Sequence, residues 1–504
     1  MTIPPSKVLV GRRWLVLAIL CASLLLVSVD ATVLHMALPA LAEDLRPTAT
    51  GQLWIIAVYS LVAAPLLLAF GTLGDRYGRR RILVLGYVVF GLASLACAWA
   101  PDVAVLVAAR AALGVGGAMI MPTTLSLLRQ AFPDRAERQM AIGIWSGVAG
   151  SGAVLGPLLG GFLVETFSWH AAFLINVPVM VVAVPLTYWL IPESADPPDG
   201  PWDVLGAALA ALGVIGIAFA IKQTPHGGAM YVLGPVAGLL GCLLLVAFVR
   251  RQRKLLVPLL DVALFRDRAF SVAVGSVLLV MTSLVGLGLL FAQYLQLVLA
   301  LQPMPAALRL MFVMVSAVIG SVVAAPLLQR FGNRRMTVAG FAVSAVALAA
   351  AAAGMTVTEN LWLLGSVLAA TGFGVSISLT AASDALLAAA PAEQAGAAAA
   401  VEETAYELGA GLGVTVLGSI ATLIYSASLP GTAALARDGL TEANAAAAGL
   451  PPEEGSELLE LAREAFVTGL RAALAVGAVL FVLATIAAAR ALPKTKEPHD
   501  DDRP

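Results

Sequence analysis

Gly71-Thr72-Leu73-Gly74-Asp75-Arg76-Tyr77-Gly78-Arg79-Arg80-Arg81 is a tight, strongly charged turn between two long apolar stretches. Helices that lie close need small residues where they meet, which Gly71 and Gly74 supply, and the turn at Gly78 needs no Cβ. Its arginines assign it a side, because short loops rich in Lys and Arg stay in the cytoplasm. The composition around it agrees: 60% of residues are hydrophobic and only 12% charged, with a mean hydropathy of +0.93, whereas soluble domains carry about 25% charged residues. The chain therefore reads as an all-α integral membrane protein.

Several function classes are excluded at this level. Cys21, Cys97 and Cys242 lie inside apolar runs, and His35, His170, His226 and His499 are scattered without ligand spacing. Neither a disulfide framework nor a metal site is expected. The chain has no Gly-x-x-x-x-Gly-Lys-[Ser/Thr] phosphate loop, which argues against an ATP-driven pump within it. No cofactor is expected, and the chain is expected not to be an enzyme.

A hydrocarbon core about 30 Å thick takes roughly 20 apolar residues per helix. On that scale fourteen spans are predicted, near 14–41, 52–72, 82–100, 103–127, 139–166, 171–191, 203–222, 231–249, 269–300, 306–328, 336–355, 361–388, 395–428 and 465–489. Alternating their connections across the bilayer puts 23 of the 30 Lys and Arg on the side of the 71–81 turn. Six face the other side, Arg46, Lys222, Arg309, Arg437, Arg463 and Arg471, and Arg110 lies within a span. That imbalance predicts both termini in the cytoplasm of a multi-pass plasma-membrane protein.

The chain also repeats itself. Arg76-Tyr77-Gly78-Arg79-Arg80-Arg81 recurs 254 residues later as Arg330-Phe331-Gly332-Asn333-Arg334-Arg335, and Gly114, Gly116 and Pro133 recur 258 later as Gly372, Gly374 and Pro391. Two parallel six-helix halves are the implied plan. The predicted division is a cytoplasmic segment 1–13, a bundle 14–191, two inserted helices and a basic loop over 192–268, a bundle 269–491 carrying an acidic extracellular insertion 429–464, and a tail 492–504.

The turn resembles Gly-x-Leu-x-Asp-Arg-x-Gly-Arg-Arg, the loop between spans two and three of the major facilitator superfamily. The fourteen spans, with a pair inserted between the halves, resemble its drug:proton antiporter branch. Val29-Asp30-Ala31-Thr32 through Ala37-Leu38-Pro39 resembles the first-span signature of that branch. Trp54 and Tyr59 lie in a segment similar to the second span of quaternary ammonium pumps, where relatives often carry an acid at the place of Ala57. Gly152-x-x-x-Gly156-Pro157-x-x-Gly160-Gly161 matches the antiporter motif, with Pro157 kinking the helix and the glycines admitting a close neighbour. Along with Gly71, Gly74, Asp75, Arg76, Gly78, Arg79 and Arg80, these are the residues expected to govern conformational change. Asp75 is expected to cap a helix start of the opposite half.

Arg110, ahead of Gly114-Val115-Gly116-Gly117, matches the intramembrane arginine of the family. An arginine in mid-membrane costs at least ~2.5–3.5 kcal/mol and demands a partner, for which Asp30 is the candidate. The pair is either a static structural contact or a device by which Arg110 tunes protonation of Asp30. Span thirteen holds Glu402-Glu403-Thr404-Ala405-Tyr406-Glu407 with no Lys or Arg nearby. Glu403 and Glu407 share a helix face and lie about 12 and 18 Å from the inner end. The alternative is a wet amphipathic face without a transport role. Glu403 and Glu407 both map onto the acidic span-thirteen motif of quaternary ammonium pumps, so Glu403 is assigned to substrate and Glu407, with Asp30 and Arg110, to protons. Trp54, Tyr59, Trp145 and Tyr406 are candidate walls for a flat cation. Asn176, Gln293 and Tyr294 face the cavity or serve as inter-helix glue.

The resemblance implies a proton-coupled exporter of small lipophilic cations such as quaternary ammonium compounds, dyes and cationic antimicrobials. The same scaffold can host a narrow exporter of one endogenous metabolite, antibiotic or lipid. Expected partners are those substrates, protons and the lipid bilayer, with no nucleic acid and the chain a monomer.

Overall fold

The computed structural model describes residues 13–195, 202–223, 230–255, 258–358, 360–391, 394–430, 433, 436–437 and 439–492. Of the expected terminal segments only Arg13 and Leu492 fall within that range. Every regular element among the described residues is helical. The first half comprises α1 (Arg13–Leu45), α2 (Ala49–Tyr77), α3 (Arg79–Ala98), α4 (Val103–Ala131), α5 (Arg135–Thr166) and α6 (Ala171–Leu190). The inserted pair is α7 (Val204–Gln223) and α8 (Met230–Gln252), and α9 (Arg268–Val298) opens the second half. Polar residues start several helices by accepting a first-turn N–H: Thr48 from Gly51 at 3.2 Å, Asp102 from Val105 at 2.9 Å, Asp267 from Ala269 at 2.7 Å and Asn360 from Leu363 at 3.1 Å.

Among the described residues twelve helices are each long and apolar enough to cross a membrane. One of them, Pro303–Gly354, has 52 residues and is broken at Gly332, whose φ of 77° and ψ of 160° no helix contains. At about 1.5 Å per residue it would measure more than twice the hydrocarbon thickness, so it is two spans, α10 (303–331) and α11 (333–354). The fourteenth is α5, 32 residues long, in which the apolar stretch Leu155–Thr166 is too short to qualify alone. The second half continues through α12 (Leu361–Ala389), α13 (Ala395–Ser428), the short α14 (Leu440–Ala447) and α15 (Pro452–Ala491). Within the expected insertion 429–464 lie α14 and the start of α15 at Pro452, so the last span continues outward as unbroken helix. Leu440, Ala443, Leu458 and Ala462 are buried in the core of the second half, and the Tyr425 hydroxyl donates to the Ala436 carbonyl at 2.6 Å.

The repeat extends to side-chain contacts. Gly78 and Gly332, 254 apart, both turn the chain with positive φ, 109° and 77°. A Cβ on Gly114 would meet the Tyr59 carbonyl oxygen at 2.5 Å, and one on Gly372 the Val313 carbonyl oxygen at 2.0 Å. The same spacing recurs between spans three and four, where Gly116 abuts Phe90 and Gly374 abuts Ser344. Each half has its own hydrophobic core, one drawn from α1–α6 and the other mainly from α9–α15.

The inserted hairpin is held through Gly213, Gly216 and Gly241, which bring α7 and α8 into close contact. Asp203 closes its base, accepting from Arg251 at 2.7 Å and Gln252 at 2.8 Å. Its first helix is fastened to α2 at both ends: Trp202 Nε1 donates to the Ala69 carbonyl at 3.1 Å and Lys222 Nζ to the Leu53 carbonyl at 3.0 Å. Lys222, counted among the cations of the outer side, is 1% exposed and so is enclosed by the protein.

Candidate functional site

Asp30 lies in α1, fully enclosed, and ion-pairs with the Arg110 guanidinium from α4. Its other oxygen accepts from Asn176 Nδ2 of α6 at 3.2 Å, and Asn176 also donates to Ser94 of α3 at 3.1 Å. Arg110 is further fixed by the Ile55 carbonyl at 3.1 Å and by the Tyr59 ring, 5.0 Å from its guanidinium carbon. Five helices of one half therefore converge on one carboxylate. Asn176 and Tyr59 are each 0% exposed: in this conformation Asn176 is a partner of Asp30 and Tyr59 a platform for Arg110.

The second acidic group stands where the halves meet. Glu407 of α13 stands beside Ser60 of α2, and its Oε2 is buried with no hydrogen-bond partner among the described residues. Glu403, one turn toward the basic face, is half-buried, while Ser383 of α12 bonds Glu402. From Glu407 outward the seam is tight: Gly411 packs on Leu61 and Gly418 on Leu53, with Cβ positions 2.9 and 2.4 Å from those leucines. Beyond it Gln293 donates to Gln52 at 3.3 Å, and Glu165 accepts the Met304 N–H at 3.0 Å. All these contacts join the two halves on the side opposite the basic turns. On the basic side none of the ion pairs and hydrogen bonds seen among the described residues joins one six-helix half to the other. The chain is thus closed at one face, with Glu407 at the floor of the closure.

The other expected wall residues make contacts with neighbouring helices. Trp145 donates to Thr124 at 3.3 Å and is nearly buried within the first half. Tyr294 spends its hydroxyl on the Thr356 carbonyl at 2.9 Å, as inter-helix glue. Tyr406 packs beside Val277, Ala382 and Ala405. Trp54 points at α7, with Phe219 6.4 Å and the Lys222 ammonium 3.9 Å from its ring. Ala57 is buried in the same cluster, with Ala218 and Val414.

Asp75 bonds Arg79 Nε at 2.8 Å across its own turn, where a helix start of the other half was expected to receive it. The residue that organises the turn is Glu193, just past α6, which the sequence reading missed. It accepts the Arg80 N–H at 3.1 Å and lies within 3.7 and 3.5 Å of the Arg80 and Arg81 side chains. A Cβ on Gly78 would fall 2.5 Å from it. An acid directly following a span on the arginine-rich side was the available signal. In α5, Cβ atoms on Gly152, Gly156 and Gly160 would fall 2.2, 1.9 and 2.7 Å from Ser28, Thr32 and Val33 of α1, and Gly161 abuts Pro303 and Ala307 across the halves. Also unforeseen is His35, 4% exposed, one of whose nitrogens is 3.7 Å from the Cβ position of Gly288 in the second half.

The profile of the Major Facilitator Superfamily matches residues 20–414. The chain is 40% identical to the multidrug efflux pump LfrA of Mycolicibacterium smegmatis, covering 94% of this chain and 95% of LfrA. It is 38% identical to the methyl viologen resistance protein SmvA of Salmonella typhimurium, covering 94% and 97%. Among solved structures, a bacterial homologue of the human lysosomal transporter Spinster, inward-facing and unoccupied, superposes with a TM-score of 0.63 over 97% of this chain and 100% of that one, at 17% identity, and so supports the fold. With the duplicated six-helix halves, these matches place the chain in the Major Facilitator Superfamily, as a multi-pass membrane transporter and not an enzyme.

Proposed function

We propose that this protein is a proton-coupled multidrug exporter, expelling lipophilic organic cations across the plasma membrane with its basic face and both termini in the cytoplasm. The observation that carries the reading is the acidic pair Glu403 and Glu407, set on one face of α13 at the seam between the halves, with no lysine or arginine paired to either among the described residues. A proton or the positive charge of a substrate is the counterpart such carboxylates lack, so the two compete there. The relatives named for multidrug efflux and for methyl viologen resistance support export of such molecules. Asp30, enclosed with Arg110 and Asn176, serves as a second proton site on the opposite bundle. Coupling to the membrane supplies the driving force: about 100 mV contributes ~2.3 kcal/mol per charge moved, roughly fiftyfold in concentration.

A flux assay in proteoliposomes tests the reading. Adding a monovalent lipophilic cation to protein-containing vesicles should drive proton movement in the opposite direction, and dissipating the pH and voltage gradients should abolish accumulation. Substrate movement unaffected by both gradients would remove the proton-coupling assignment, and transport confined to a single neutral compound would favour a narrow exporter.

A further inference from the structure

Among the described residues only Arg110 and Lys222 are buried Lys or Arg side chains. Arg110 has Asp30; Lys222 makes no ion pair among the described residues. Its ammonium instead lies 3.9 Å from the Trp54 ring centroid and donates to the Leu53 carbonyl at 3.0 Å. An aromatic face and a carbonyl oxygen are what a transporter offers an organic cation, so in this conformation α7 supplies a cation of its own to that place. Lys222 is one turn beyond Ala218, which is buried with Ile56, Ala57, Leu61 and Val414 in the seam between α2 and α13. Further along α2, Ser60 lies beside Glu407. From Leu53 to Ser60 the helix rises about 10 Å.

We propose that Lys222 is a specificity-determining residue: a tethered cation that fills the aromatic face of Trp54 and lays a positive charge over the outer end of the seam, lowering affinity for substrates in proportion to their own charge. The proposal rests on the cation-export reading. Two unit charges about 10 Å apart at an effective dielectric of ~20 alter an affinity by roughly tenfold. A dication is therefore disfavoured about tenfold more than a monocation, and a neutral lipophile is unaffected. No acid at position 57 offsets the charge, since Ala57 occupies that place. The inserted pair thereby acquires a role beyond spacing the halves, because it carries the residue that discriminates among substrates.

Binding of tetraphenylphosphonium, methyl viologen and the neutral N-phenyl-1-naphthylamine to the purified full chain provides the test. Lys222→Met should tighten the monocation about tenfold and the dication about a hundredfold, leaving the neutral probe unchanged. Lys222→Arg keeps the charge and should keep the wild-type grading. Lys222→Gln removes the charge while retaining a donor for the Leu53 carbonyl; read in parallel, it frees the comparison from the folding of a single variant. Equal changes for all three probes, or an unchanged ratio of dication to monocation affinity in both neutral variants, would overturn the proposal. Failure of the wild type to transport either cation would instead overturn the cation-export reading, which is scored separately from the ratio.

Discussion

Asp30 and Arg110 differ in how they respond to losing each other. A carboxylate left alone in an apolar site can take up a proton, but a guanidinium cannot shed one, and an uncompensated buried charge costs about 3–5 kcal/mol. Asp30→Asn should therefore lower thermal stability, with Asn176 unable to replace the charge, and should abolish drug-driven proton movement. The double variant Asp30→Asn/Arg110→Gln should regain most of the stability yet stay uncoupled. Melting in detergent and flux in liposomes separate the two effects, and a coupled double variant would remove Asp30 from the proton path. The acids of α13 divide by depth. Glu403→Gln should weaken cationic substrates selectively, whereas Glu407→Gln, one turn before the Gly411–Leu61 contact between the halves, should depress transport of every substrate and shift its pH dependence. Identical substrate profiles and pH curves for the two would refute that division. The pairing of Asp30 with Arg110 was legible in the sequence because each is too costly in a membrane to stand alone. The surroundings of Trp54, and the choice between cavity and glue for Tyr294, were not legible because an aromatic residue in a span has no sequence mark telling the cavity from a neighbouring helix, and the burial of Lys222 was not because it stands at a span end.

At the scale of helices, α5 and α1 approach through a row of glycines with no space for even one methyl group. A Cβ on Gly156 would lie 1.9 Å from Thr32 Oγ1 and 3.2 Å from the Val29 carbonyl oxygen, so Gly156→Ala must push α1 aside near Asp30. Transport should fall at least tenfold, with insertion into the membrane retained. Gly275→Ala, in α9, meets nothing within 4 Å and should be silent in the same flux assay. Comparable activity of the two variants would show that the α1–α5 approach is not functionally tuned. The row was legible as glycines four apart beside Pro157, although spacing alone does not say which helix they admit. Span existence was equally legible, since hydropathy reports what lipid requires. Helix continuity was not: the outward extension of α15 is held by packing with α14 and the second-half core, which a lipid-based scale does not register.

For the whole molecule, duplication explains why two bundles can rock as units: each has its own core, and the described contacts between them concentrate at one face. Gly161 of α5 and Ala307 of α10 mark that closure, with the Cβ position of Gly161 3.2 Å from the Ala307 Cβ. Disulfides place their Cβ atoms about 3.5–4.5 Å apart, so a slight parting of the helices admits one. In a background lacking Cys21, Cys97 and Cys242, the pair Gly161→Cys/Ala307→Cys should cross-link under mild oxidant and arrest transport, and reduction should restore it. Each single variant should be insensitive to oxidant, which separates crowding at position 161 from locking of the halves. The Glu165 contact with the Met304 N–H lies at the same face and should open with it, so Glu165→Ala should shift the resting population away from closure and lower the yield of cross-link. Full transport by the oxidised double variant would mean that the halves need not separate at this face, and that substrate leaves by a route other than the seam between α5 and α10.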